Sequence, residues 1–245
     1  MSTDQQTAGA KIVGQVARLA ALPPEAFAAA QARHEATAAA RETARRQTAW
    51  DAFIRARGRR YADCTLENFT IPDDKQVEAR KKALTKVSFY ADEMQMRVSA
   101  GQNLIFHGPA GTGKDHLMAA TVRTAIFRYG IGPIFWIDAA ALLLKARHRD
   151  ASLSADLQAA EQAAVFALSD LLPVKAMDGA EATLLQHLID RRYSRQRPIW
   201  LTVNINQAES IDGKFDTAVL GRLRENLWAV SCNWPDRRHS QRVAK

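Results

Sequence analysis

Gly108-Pro109-Ala110-Gly111-Thr112-Gly113-Lys114 follows directly on the apolar run 103–107 and opens a helical pattern at Lys114. A glycine, four residues and then Gly-Lys is the spacing of a phosphate-binding loop. Glycines let backbone N–H groups curl round phosphates, because a Cβ would block the approach. The helix start adds its partial positive charge, and Lys114 reaches toward the β- and γ-phosphates. Asp115 and His116 complete the candidate nucleotide contacts. A Ser or Thr usually follows the lysine and gives Mg²⁺ a neutral oxygen. Asp115 stands there instead. Its carboxylate would repel a triphosphate unless a metal lies between them. It could equally serve as an acid favoured at a helix start.

Outward from the loop, short apolar runs alternate with helical patterns. The runs 103–107, 134–137, 164–168, 199–203 and 228–232 predict strands. Residues 77–96, 114–129, 139–147, 180–193 and 216–224 predict helices. This alternation implies an α/β fold with a five-stranded parallel sheet covered on both faces. Pro133 and Pro198 precede strands, where a missing N–H costs little.

A phosphate loop needs an acidic strand end to hold Mg²⁺ and orient water. Val165-Phe166-Ala167-Leu168-Ser169-Asp170 is the candidate. Ser169 replaces the usual first acid, and Asp170 keeps the second position. One reading is an exchange, with the metal-binding charge moved to Asp115, so that Asp115 and Asp170 share the metal. The other is decay, with nucleotide bound but hydrolysed slowly or not at all.

The chain has 245 residues with 34 Lys+Arg against 26 Asp+Glu, a net charge of +8. A basic excess suits an acidic partner such as nucleic acid. Residues 1–60 hold 10 basic and 5 acidic side chains, so this arm carries +5 and residues 61–245 only +3. From Glu25 the arm predicts a long polar helix with an arginine-rich second half and a thin apolar stripe, suited to docking on a partner. Gly58-Arg59-Arg60 marks the boundary between a helical basic segment, 1–60, and an ATP-binding domain, 61–245. Cys64 and Cys232 are the two cysteines, which excludes a disulfide framework and a multi-cysteine zinc site. No signal-peptide pattern opens the chain and no run is long enough to span a membrane. The expectation is a cytoplasmic protein with no membrane partner.

With these motifs the chain resembles the DnaC-type replicative helicase loaders, within the DnaC/IstB group of AAA+ ATPases. The resemblance covers about residues 61–243. Its landmarks are Cys64-Thr65-Leu66-Glu67-Asn68-Phe69, the phosphate loop, Leu188-Ile189-Asp190-Arg191-Arg192, Thr202-Val203-Asn204, Arg222-Leu223-Arg224 and Asn233-Trp234. The resemblance implies roles. Asn204 matches the amide that touches the γ-phosphate or the attacking water. Arg222 matches the arginine finger that reaches a neighbour's ATP, with Arg224 the alternative. Arg238 matches a second phosphate-sensing arginine, with Arg237 the alternative. Lys145, Arg147 and Arg149 fall where these loaders contact single-stranded DNA; a solvated helix end would look the same.

The implied activity is weak ATP hydrolysis, with Mg²⁺ as cofactor and ADP as product. Hydrolysis is in question because of Ser169. The implied partners are a hexameric replicative helicase, single-stranded DNA and, in the ATP state, further copies of the chain. Two other readings stay open. One is an IstB-like transposition helper on double-stranded DNA. The other is an adaptor that binds nucleotide without hydrolysing it.

Overall fold

The computed structural model describes residues 23–171, 179–205 and 217–236. The chain divides into two units, Met1–Thr48 and Ala49–Lys245. Apart from Pro23, the described part of the first unit lies in α1 (Pro24–Arg57). Alanines and other good helix formers sustain that helix, and Arg46 pairs one turn back with Glu42 at 2.8 Å. No residue from Pro24 to Thr48 is buried. Burial begins at Trp50 and Phe53, both in the core of the second unit. The unit boundary therefore falls at Thr48/Ala49, before the Gly58 boundary expected from sequence, because two aromatic residues late in α1 belong to the body. Gly58 itself ends the helix, with φ of 102°.

The second unit is an α/β sandwich. A short 3₁₀ turn (Arg59–Tyr61) leads to α2 (Val77–Asp92), α3 (Met94–Ser99) and β1 (Asn103–Gly108). Then follow α4 (Lys114–Tyr129), β2 (Ile134–Asp138), α5 (Ala139–Arg147), α6 (Leu153–Gln162) and β3 (Val165–Leu171). The described remainder is α7 (Gly179–Tyr193), β4 (Ile199–Asn204), α8 (Thr217–Glu225) and β5 (Leu227–Ser231). The five strands run parallel in the order β2-β3-β4-β1-β5. Side chains alternate across them: Leu104 and Phe106 join one core cluster, Ile105 the other. Both faces are thus covered, as the near-continuous apolar strands demand.

Two expectations are corrected. The helix expected over 77–96 breaks at Glu93. The Tyr129 hydroxyl donates to the Asp92 carbonyl at 2.8 Å, and Arg128 pairs with the Asp92 carboxylate. These contacts draw Asp92 toward α4, and the chain turns there. The second is α6, an amphipathic helix absent from the helices expected from sequence. No described helix is long and apolar enough to cross a membrane.

Candidate functional site

The loop sits at the carboxyl end of central strand β1, at the crevice where ligands bind in open parallel sheets. Gly108, Gly111 and Gly113 take φ of 149°, 75° and 94°, conformations that admit glycine far more readily than other residues. Cys232 backbone atoms pack where a Gly108 Cβ would project, and the Asp236 carboxylate does the same at Gly111. The loop is braced from behind. Trp234, fully buried, donates its indole N–H to the Thr112 carbonyl at 2.9 Å. His116 Nε2 lies 3.0 Å from the Thr65 carbonyl, and its ring meets Phe69 edge-on. The landmark segments 64–69 and 233–234 are therefore props of the phosphate loop.

The loop borders a cavity of about 740 Å³ whose walls include Gly111, Gly113, Lys114, Asp115, Asp170 and Asn204. This is room for a nucleotide. Lys114 is buried, and its Nζ donates to the carbonyls of Gly108 at 3.0 Å and Pro109 at 2.6 Å. Asp170 is thrust toward the cavity by an irregularity in the β3–β4 pairing between Leu168 and Leu171. Its φ is 51°, a conformation that aspartate tolerates better than most residues.

Thr202 joins the two acids. Its hydroxyl accepts the Asp170 N–H at 2.9 Å and donates to Asp115 Oδ1 at 3.1 Å. Asn204 Nδ2 donates to Asp170 Oδ1 at 2.9 Å. Burial, and then the charge of Asp170, push the Asp115 carboxyl above the usual carboxylate range. A divalent cation would relieve the cost of a charged carboxylate at Asp115. Two acids plus a hydroxyl, completed by phosphate oxygens, suit Mg²⁺, which rarely uses an all-protein cage. The donor set therefore fits the metal.

Ser169 does not meet Asp115. It is fully buried at the register partner of Asp138, the last residue of β2. Ser169 Oγ donates to Asp138 Oδ1 at 2.5 Å and accepts the Trp136 indole N–H at 2.9 Å. Arg57 Nη2 closes the group at 2.8 Å from Asp138 and 3.4 Å from Ser169. The Arg57 hydrogen bond holds the Asp138 carboxyl below its ordinary value.

The other candidates lie apart. Arg222 pairs with Asp190 at 2.8 Å in a groove of about 340 Å³ that also includes Asn103, Tyr193 and Arg197. That groove is at the starting end of β1, roughly 16 Å along the strand from the loop. Lys145 pairs with Asp156, and Arg147 with Glu181, both at 2.6 Å. Arg149 is exposed, with φ of 50°. Arg237 and Arg238 lie outside the described residues.

Sequence reasoning passed over four side chains around this site. Thr202 was legible: on a strand, residues two apart share a face, so it points with Asn204. Asp138 also ends an apolar strand in an acid. Arg57 and Tyr61 carried no such signal, because their contacts cross long stretches of sequence.

Residues 20–243 match the family described as IstB-like ATP binding protein. The replicative helicase loader DnaC of Escherichia coli K12 is 26% identical over 177 residues, which cover 71% of this chain and 69% of that protein. The crystal structure of the DnaC helicase loader superposes with a TM-score of 0.61 at 20% identity, over 71% of this chain and 99% of that one. AMPPCP-bound DnaA from Aquifex aeolicus gives 0.51 at 17% identity, over 68% of this chain and 50% of that one. At these identities the structural likeness speaks for the fold alone, a parallel sheet with its covering helices. The family match spans nearly the whole chain, and the resemblance drawn from the motifs holds: the chain belongs to the IstB-like ATP-binding proteins.

Proposed function

We propose that the chain is an ATP-controlled loader that places a hexameric replicative helicase on single-stranded DNA. The ATP part is carried by one observation: the phosphate loop, the Asp115–Thr202–Asp170 bridge and Asn204 converge on one cavity. The loader part rests on the likeness to DnaC. On nucleotide binding Lys114 exchanges its loop carbonyls for phosphate oxygens. Asp115 and Asp170 would hold Mg²⁺, which would neutralise phosphate charge and ease attack of water at the γ-phosphorus, with ADP as leaving group and inorganic phosphate as the other product. Asp170, steadied by Asn204, orients the attacking water. Ser169 gives no second carboxylate there, so turnover is slow and ADP is its product.

Arg222 lies too far from the loop of its own chain to serve it. It fits the nucleotide of a neighbouring copy, so ATP favours self-association. A guanidinium suits this role because it spreads charge over the phosphoryl group. Arg149 is the DNA contact open to solvent; Lys145 and Arg147 would first leave their acidic partners.

The test mixes the full chain with a hexameric replicative helicase and single-stranded DNA, under ATP or ADP. A complex that depends on ATP is expected. Arg222→Ala should keep ATP binding yet lower turnover and self-association by at least roughly tenfold. Association with a transposase on double-stranded DNA, and none with the helicase, would overturn the loader in favour of the transposition helper.

A further inference from the structure

A short segment, residues 57–61, borders the nucleotide site: Arg60 lines the cavity, Tyr61 reaches Asp115, and Arg57 lies outside the cavity on the neighbouring strand ends. Arg57 grips Asp138 and Ser169, as described above. Its guanidinium carbon also lies 4.6 Å over the Trp136 ring, and its side chain is only 9% exposed. Tyr61 is buried and directs its hydroxyl to Asp115 Oδ2 at 3.4 Å. Arg60, 4.9 Å over the Tyr61 ring, lines the cavity itself. Gly58 supplies the sharp turn that allows both sides of the segment to face the site.

The grip explains why a serine occupies position 169. Asp138 and Ser169 are register partners on neighbouring strands, next to Asp170. One guanidinium serves one carboxylate there. The acid absent from the end of β3 has its counterpart on β2, where Arg57 neutralises it. A second carboxylate at 169 would compete for the same partner.

We propose that Arg57 is a positioning residue, and that the 57–61 segment couples nucleotide binding to the last turn of α1. Arg57 fixes the strand ends that carry Asp138 and Ser169, while Tyr61 follows Asp115. When Asp115 turns to Mg²⁺ and phosphate, its contact with Tyr61 changes, and the segment passes that change to the helix that ends at Arg57. Coupling of this kind is reciprocal: whatever binds the helix would shift nucleotide affinity by the same factor. The proposal rests on the reading of the cavity as a nucleotide site.

Amide hydrogen exchange across residues 49–57 of the full chain, with and without Mg²⁺ and ATP, tests it. In the unaltered chain nucleotide should change exchange there by on the order of tenfold. Asp138→Asn, close in shape to the original, should remove that response while ATP still binds, and Arg57→Ala should do the same. Arg57→Lys should keep part of it. Ser169→Asp, which sequence logic would count as restoring the usual acid, should weaken the response. Combining it with Asp138→Asn should bring the response back, because one carboxylate again faces one guanidinium. A merely structural role for Arg57 would not give this rescue. If ATP binds the unaltered chain and exchange at 49–57 does not move, or if Asp138→Asn keeps the full response, the proposal is overturned and the nucleotide site stands. If the unaltered chain binds no ATP, both fall.

Discussion

Asp115 sits where a phosphate loop ordinarily carries a hydroxyl. The hydroxyl is present from another element: Thr202 on β4 reaches Asp115 at 3.1 Å. The site thus combines a carboxylate at the loop with a threonine on the neighbouring strand. On the proposed reading Asp115 and Asp170 would share the metal, and turnover stays slow because position 169 supplies no carboxylate. Ser169 is engaged with Asp138, and Thr202 links Asp115 to the backbone N–H of Asp170. If the carboxylate is there for the metal, Asp115→Asn should bind ATP without Mg²⁺ at least as tightly as the unaltered chain, since one repulsive charge is gone. The gain that Mg²⁺ brings should fall by about tenfold, near 1.4 kcal/mol. Calorimetric titration of ATP with and without Mg²⁺ measures both. An undiminished Mg²⁺ effect would show that Asp115 only opens the helix. At this scale the loop and Asp170 could be named from spacing, and Asn204 only from the family resemblance. The bridge between them could not, since hydrogen bonds across strands leave no mark in local order.

Among the elements, α6 was the least legible and depends on one residue. Arg192 on α7 is fully buried. Its guanidinium donates to the carbonyls of Ala160, Ala163, Ala164 and Pro198. Three of these belong to the end of α6 and the chain just after it, where carbonyls lack helical partners. Burial, with Arg197 and Arg195 nearby, pulls the Arg192 pKa down, but four carbonyl oxygens favour the charged form. Arg192 therefore caps α6 and ties it to the start of β4. Arg192→Ala should remove this donor from the carbonyls of Ala160, Ala163 and Ala164 at once, and leave Pro198 with the Phe166 N–H. The expected loss is at least about 3 kcal/mol, a fall in Tm of roughly 6–12 °C for a unit of this size. Arg192→Lys, with three donors on a flexible stem, should fall between. Thermal unfolding followed by circular dichroism reads the difference, and an unchanged Tm for Arg192→Ala would refute the cap. The five strands were legible from their apolar runs. The break at Glu93 was not, because its cause is a tyrosine and an arginine from α4.

For the whole molecule, the net charge of +8 divides unevenly. Much of it lies in the N-terminal arm, where no residue of Pro24–Thr48 is buried. In the body, Lys145 and Arg147 are already matched by acids. The body is held around one loop: Trp234, Phe69 and His116 brace it, and Asp115, Asp170 and Asn204 face it across the cavity. Every functional statement above depends on that loop holding a triphosphate. The direct measurement is the ATP affinity of Lys114→Ala beside the unaltered chain, by calorimetry in Mg²⁺. Micromolar-range binding by the unaltered chain and a loss of at least about a hundredfold in the variant, near 2.7 kcal/mol, are expected. Equal affinity in the two chains would contradict the account.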